Sequence, residues 1–168
     1  LPPPTDDTRT MLPIRSRFRL YVPVLLVAGV LACSFQGCRG LYETTEGRYA
    51  RCAWEMLESG NWLEPTLLGE PHWTKPPFTY WLLACGIQLL GNNEWGPRVP
   101  VALAFMATTL GVAALARRLW DDRTALIAGL VYATSPYPAA MAFAVNTDTF
   151  LCLWELLAVL GYWCGLQS

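Results

Sequence analysis

Charge is scarce in this chain of 168 residues: Asp, Glu, Lys and Arg make up 15% of it, against roughly 25% in soluble domains. Net charge is −1 and no basic stripe is present, which excludes a nucleic-acid partner held by phosphate contacts. Histidine occurs once, at His72, and none of the six cysteines (Cys33, Cys38, Cys52, Cys85, Cys152 and Cys164) forms a Cys-x-x-Cys pair, so zinc-site spacing is missing. Most of the cysteines fall in apolar blocks and act as small hydrophobes. Cys38 and Cys52 flank a polar loop and have the option of pairing in an oxidising compartment.

What the chain has instead is apolar length. Hydrophobic residues make up 54% of it and come in long blocks, as in a polytopic membrane protein. Residues 1–17 are Pro-rich and polar and are expected to form a disordered cytoplasmic tail. The block 18–36 is long enough to cross a hydrocarbon core as a first transmembrane helix. Its basic flank (Arg9, Arg15, Arg17 and Arg19) puts the N-terminus in the cytoplasm. A chain starting at Leu1 and ending in an apolar block is expected to be an N-terminal fragment of a longer protein.

Residues 37–76 then form an outer loop. Within it, 46–59 has helical periodicity, with Tyr49, Ala53, Met56 and Leu57 on one face and Arg48, Arg51, Glu55 and Glu58 mostly on others. Thr45 is the expected N-cap and Gly60 the stop. This amphipathic helix is expected to lie along the membrane surface. Residues 77–91 are apolar, but as a helix they cover only roughly 22 Å of a core roughly 30 Å thick. Residues 98–119 are long enough to span, and Arg117, Arg118 and Arg123 mark their far end as cytoplasmic. If 98–119 runs inward, 77–91 begins and ends outside. Spans over 124–144 and 149–166 follow. The expected fold is an all-α membrane protein, a polytopic transmembrane helix bundle of about four spans plus two juxtamembrane helices. Glu43, Glu46, Arg48, Lys75 and Asp148 then share the outer side.

Each of these residues has a reason to matter. Asp148 opens an apolar helix, where an ionisable group is costly unless it faces a polar cavity; Thr147 beside it is available as a cap. Lys75 precedes Pro76-Pro77, which prevents a helix from continuing back through it and holds its ammonium at the interface. The aromatics Tyr80 and Trp81 suit a headgroup belt. Carboxylates act as general bases on a hydroxyl, and cations stabilise a departing phosphate. Arg48 offers a planar fork for phosphate oxygens.

Several runs carry a resemblance: Glu46-Gly47-Arg48-Tyr49-Ala50, Glu55-Met56-Leu57, Ser59-Gly60-Asn61-Trp62-Leu63, Pro65, Leu68-Gly69, and Lys75-Pro76-Pro77 with Tyr80-Trp81-Leu82. Arg98, Arg118-Leu119-Trp120 and Thr147-Asp148 continue it. Together they resemble the polyprenyl-phosphate-sugar-dependent glycosyltransferases of the GT-C fold, the bacterial aminoarabinose (lipid A) transferases and protein O-mannosyltransferase relatives. The resemblance implies an enzyme of the bacterial inner membrane with its site facing the periplasm. It implies transfer of a sugar from a polyprenyl-phosphate carrier to a lipid A, glycan or protein acceptor; no cofactor and no metal ligand is assigned among these residues. Family members carry an Asp-Glu pair before the Arg-Tyr-Ala run; here it is Thr45-Glu46, so the base falls to Glu43 or Glu46. Lys75, helped by Arg48, corresponds to the contact on the carrier phosphate, and Asp148 to the acidic residue that orients the acceptor or supports the loop. A transporter or flippase for a lipid-linked substrate, and a non-catalytic paralogue, are the alternatives.

Overall fold

The computed structural model describes residues 14–41 and 43–166, with side chains from Tyr21 onward except those of Glu43 and Thr44. Seven helices and one small hairpin make up the described chain. Helix α1 is Ile14–Cys33. It starts inside the stretch expected to be a tail and stops short of residue 36, because Phe35 turns into the left-handed region (φ 61°). The remainder of the expected tail, residues 1–13, lies outside the described residues.

Helix α2, Glu43–Ser59, begins before the expected cap, so Thr45 lies in its first turn. It ends where expected, at Gly60, whose N–H bonds to the Met56 carbonyl at 3.0 Å. Tyr49, Ala53 and Met56 are buried on its apolar face, and Leu57 packs beside them. A hairpin follows that periodicity gave no sign of, Thr66–Leu67 (β1) paired antiparallel with Glu70–Pro71 (β2). Its two-residue loop has both φ angles positive, Leu68 at 56° and Gly69 at 83°, the conformation that suits a tight hairpin and favours glycine.

Pro76 and Pro77 open α3, Pro77–Leu90. Proline at a first helical position loses no hydrogen bond there, because that N–H has no intrahelical partner. After a connection of residues 91–94, α4 runs Trp95–Leu119. It is about 37 Å long at 1.5 Å per residue, whereas α3 is about 21 Å. Gly86 and Gly96 let α3 and α4 touch backbone to backbone: a Cβ on Gly86 would collide with the Gly96 carbonyl and the Pro100 ring.

The expected span 124–144 is not one helix. Asp121 caps α5, Asp122–Thr134, by accepting from the Thr124 N–H at 2.7 Å. The chain then breaks at Ser135 (ψ 131°) and resumes as the short α6, Pro136–Met141. The residue before a proline avoids helical backbone, and Pro136 brings no N–H to continue the ladder. Helix α7 is Asp148–Leu166. Among the described residues, α4 and α7 are the two helices long and apolar enough to cross a membrane.

Helix α4 runs antiparallel to α1 and parallel to α7. Arg98 at the start of α4 bonds to the Gln36 carbonyl just past α1, while Arg117 at its far end bonds to Asp122 at 2.6 Å and lies near Tyr21 at the start of α1. Arg118 pairs with Cys164 near the end of α7. The starts of α3, α4 and α7 therefore gather at one end of the bundle, together with the exit of α1. Helix α3 both begins and ends there.

Candidate active site

At that end, Lys75 and Asp148 line one cavity of about 350 Å³ with Phe78, Thr147, Phe150 and Trp154. Its size is that of a small-molecule site. The prolines after Lys75 fix the approach of the chain. The position of Asp148 comes from the turn before α7. Asn146, not the expected Thr147, caps this helix: its Oδ1 accepts from the Thr149 N–H at 2.8 Å and the Thr149 hydroxyl at 2.9 Å. Thr147 instead donates its hydroxyl to Asp148 at 3.2 Å. A carboxylate in the first turn of α7 also complements the helix dipole.

Phe78 is edge-on to Trp154 (5.2 Å between centroids) and to Trp81 (6.1 Å), and the Trp81 indole donates to the Trp62 carbonyl at 2.6 Å. Tyr80 does not join a headgroup belt. It is fully buried and meets Tyr49 edge to face. A second, almost wholly apolar groove of about 520 Å³ runs between α3, α4 and α7, lined by Leu82, Leu89, Leu103 and Leu153 among others. Phe150 borders both spaces.

Glu46 and Arg48 do not line this cavity. Glu46 is buried and accepts from Arg39 at 3.0 and 3.1 Å, from Arg98 at 3.1 and 3.4 Å, and from the Val145 N–H at 2.8 Å. Arg48 is exposed on α2 and does not line the cavity. Two residues along a helix is about 200° of rotation, so a helix that turns Glu46 inward turns Arg48 out. Glu43 opens α2, and its side chain lies outside the described residues. Arg39 was not singled out from sequence, and Arg98 entered only as part of the resemblance, without a role. The signal available was that both arginines fall on the expected outer side with Glu46.

Glu55, expected on a polar face, is buried at 7% exposure. Burial disfavours its charge, but hydrogen bonds outweigh that: the Thr66 hydroxyl (2.8 Å), Arg51 (2.8 Å) and the N–H groups of Gly69 (3.3 Å) and Leu68 (2.8 Å) hold its carboxyl down at about 2. It fastens the hairpin loop to α2. Burial also pushes the Cys52 thiol up to about 11, with Glu55 adding to the rise. Cys38 is exposed and both thiols are free, so the pairing considered from sequence is not made.

A bundle of apolar helices, two of them long and apolar enough to cross a membrane, holds a cation and a carboxylate in one cavity beside an apolar groove. Residues 74–167 match the dolichyl-phosphate-mannose-protein mannosyltransferase family, and the chain belongs to that family. It is 33% identical over 159 residues to the undecaprenyl phosphate-alpha-4-amino-4-deoxy-L-arabinose arabinosyl transferase of Pseudomonas savastanoi pv. phaseolicola, covering 92% of this chain and 29% of that protein. A Pseudomonas fluorescens Pf0-1 protein of the same name is 34% identical over 152 residues, covering 89% of this chain and 28% of the relative. The crystal structure of ArnT from Cupriavidus metallidurans bound to undecaprenyl phosphate superposes with a TM-score of 0.73 at 29% identity, over 86% of this chain and 26% of that one. The apo form gives 0.69 at 30% identity, over 80% and 25%. The chain thus spans under a third of the length of these relatives.

Proposed function

We propose that the protein is an integral membrane glycosyltransferase that moves a sugar from a polyprenyl-phosphate carrier to an acceptor outside the cytoplasm. The observation that carries this reading is that Lys75 and Asp148 line one cavity. A cation there stabilises the carrier phosphate as it leaves the anomeric carbon, and a carboxylate beside it receives the acceptor proton. The apolar groove bordered by Phe150 suits the isoprenoid chain. The names of the relatives favour undecaprenyl phosphate 4-amino-4-deoxy-L-arabinose as donor; the acceptor we assign is a group on lipid A, a glycan or a protein.

Within this reading Asp148 takes the role of base. Glu46 already accepts from two arginines and a backbone N–H, and it does not line the cavity that holds Lys75. Glu43 is the second base candidate. Arg48 gives long-range positive field to the same side. The fold we assign has about four spans (α1, α4, α5 with α6, and α7), with α2 and α3 at the outer surface of a bacterial inner membrane.

The test is release of undecaprenyl phosphate from that donor by the intact protein in liposomes containing lipid A. We expect Lys75→Ala and Asp148→Asn each to lower the rate by about 100-fold or more, and Glu43→Gln by less than about 3-fold. Undiminished release by Lys75→Ala would refute the mechanism. A large loss in Glu43→Gln with little in Asp148→Asn would return the base to α2.

A further inference from the structure

Three stretches far apart in sequence meet at Glu46. Arg98, with no exposed surface, donates to it and also to the carbonyls of Gln36, Arg39 and Gly40, the last two at 2.8 Å. Arg39 forks onto both Glu46 oxygens and reaches past them to the Phe143 carbonyl. The Val145 N–H completes the approach from the same side as Phe143. These last two bonds grip the turn that leads into α7, five and three residues before Asp148. Asn146 then ties that turn to the helix: its Nδ2 donates to the carbonyls of Met141 (2.8 Å) and Ala144 (2.6 Å), while its Oδ1 accepts from Thr149.

We infer that Arg39 and Glu46 are positioning residues: they hold the turn before α7 so that Asp148 shares its cavity with Lys75. This rests on reading that cavity as the transfer site. Buried ion pairs are a poor way to gain stability, since apolar side chains of similar volume often do as well. What apolar packing cannot do is accept an N–H at Val145 and donate to a carbonyl at Phe143, and those two directed bonds set where the turn lies. Placement matters for a proton acceptor, because a misplacement of about 1 Å costs roughly 100-fold in rate. The side chain of Arg39 is 34% exposed, and its removal leaves the buried Arg98–Glu46 pair intact.

The test compares Arg39→Met, Asp148→Asn and the double variant of the intact protein in liposomes, with undecaprenyl phosphate 4-amino-4-deoxy-L-arabinose as donor. We expect Arg39→Met to lower kcat about 10- to 100-fold while the donor KM moves by less than about 3-fold. The double variant should be no slower than Asp148→Asn alone, since both act through one group. Amide hydrogen exchange at Val145–Asp148 should quicken, with the amides of α3 unchanged. Arg39→Lys keeps the charge without the fork and should move each readout the same way by less; it stands in if Arg39→Met fails to fold. Unchanged exchange at Val145–Asp148, or losses that multiply in the double variant, would overturn the inference. A wild-type protein without turnover would overturn the transferase reading instead. The exchange measurement would then decide by itself whether Arg39 holds the turn.

Discussion

A carboxylate that accepts hydrogen bonds from a hydroxyl, a guanidinium and two backbone amides is stabilised in its charged form, and Glu55 is such a group. Its folded value of about 2 lies below the ordinary 4.5. A depressed folded value contributes stability that is fully present above the unfolded one and is lost as pH falls from about 4.5 to about 2. The ceiling on that contribution is roughly 3 kcal/mol, reduced by screening at the half-exposed Arg51. Glu55→Gln should therefore melt lower than wild type near neutral pH, by about 1–2 kcal/mol, and the gap should narrow below about pH 4.5 and close only below about pH 2. Thermal unfolding of the purified protein across that range measures it, and a gap that stays constant with pH would show that the charge plays no part. Glu46 and Glu55 also show what periodicity leaves out. Both belong to one helix whose outer face was expected to be solvated, and both are buried because their partners come from elsewhere, Arg98 from α4 and Thr66 from the hairpin. Lys75 and Asp148 were legible because each interrupts an apolar pattern at a helix start, where a charge needs a reason.

Between elements, the contact most sensitive to size is the crossing of α3 and α4. At Gly86 the obstacle to a side chain is the Gly96 carbonyl and the Pro100 ring, neither of which can swing aside. Gly86→Val should cost about 2 kcal/mol or more through overpacking. Gly47→Ala is the control: among the described residues nothing lies within 4 Å of a Cβ there, and alanine in a helix is favoured over glycine by about 1 kcal/mol. The first variant should melt below wild type and the second at or above it. Equal melting of Gly86→Val and wild type would mean that the two helices separate without penalty. Helix α3 was legible because Pro76-Pro77 and Gly91 bracket one apolar run. The break between α5 and α6 was signalled by Pro136 and Pro138 but overridden by the unbroken hydrophobicity of 124–144, which says what is buried and not whether the backbone is continuous. The hairpin was hidden for the opposite reason. Two residues per strand are too few for alternation to register, and only the positive φ at Leu68-Gly69 marks it.

For the whole molecule the open question is which segments cross, and the geometry gives it a sharp form. Helix α3 starts beside Asp148 and ends four residues before α4, whose Arg98 bonds to the Gly40 carbonyl at 2.8 Å. Gly40 and Asn92 thus belong to one end of the bundle, and Arg123, just past the Arg117–Asp122 pair, to the other. The positive-inside rule predicts cytoplasmic placement of Arg117, Arg118 and Arg123, which we propose together with a short α3 that returns to the side it left. A full crossing by α3 would reverse everything after it, and would do so with a helix of about 21 Å in a core of about 30 Å. Single cysteines at Gly40→Cys, Asn92→Cys and Arg123→Cys, in a chain whose native cysteines are replaced by alanine, separate the two arrangements. Treated on intact cells with a maleimide that cannot pass the inner membrane, Gly40→Cys and Asn92→Cys should label, and Arg123→Cys should label only after permeabilisation. Labelling of Gly40→Cys together with Arg123→Cys, with Asn92→Cys protected, would make α3 a span. It would also pull the start of α4 away from Gly40 and Glu46, dismantling the Arg98 contacts on which the site end of the bundle is built.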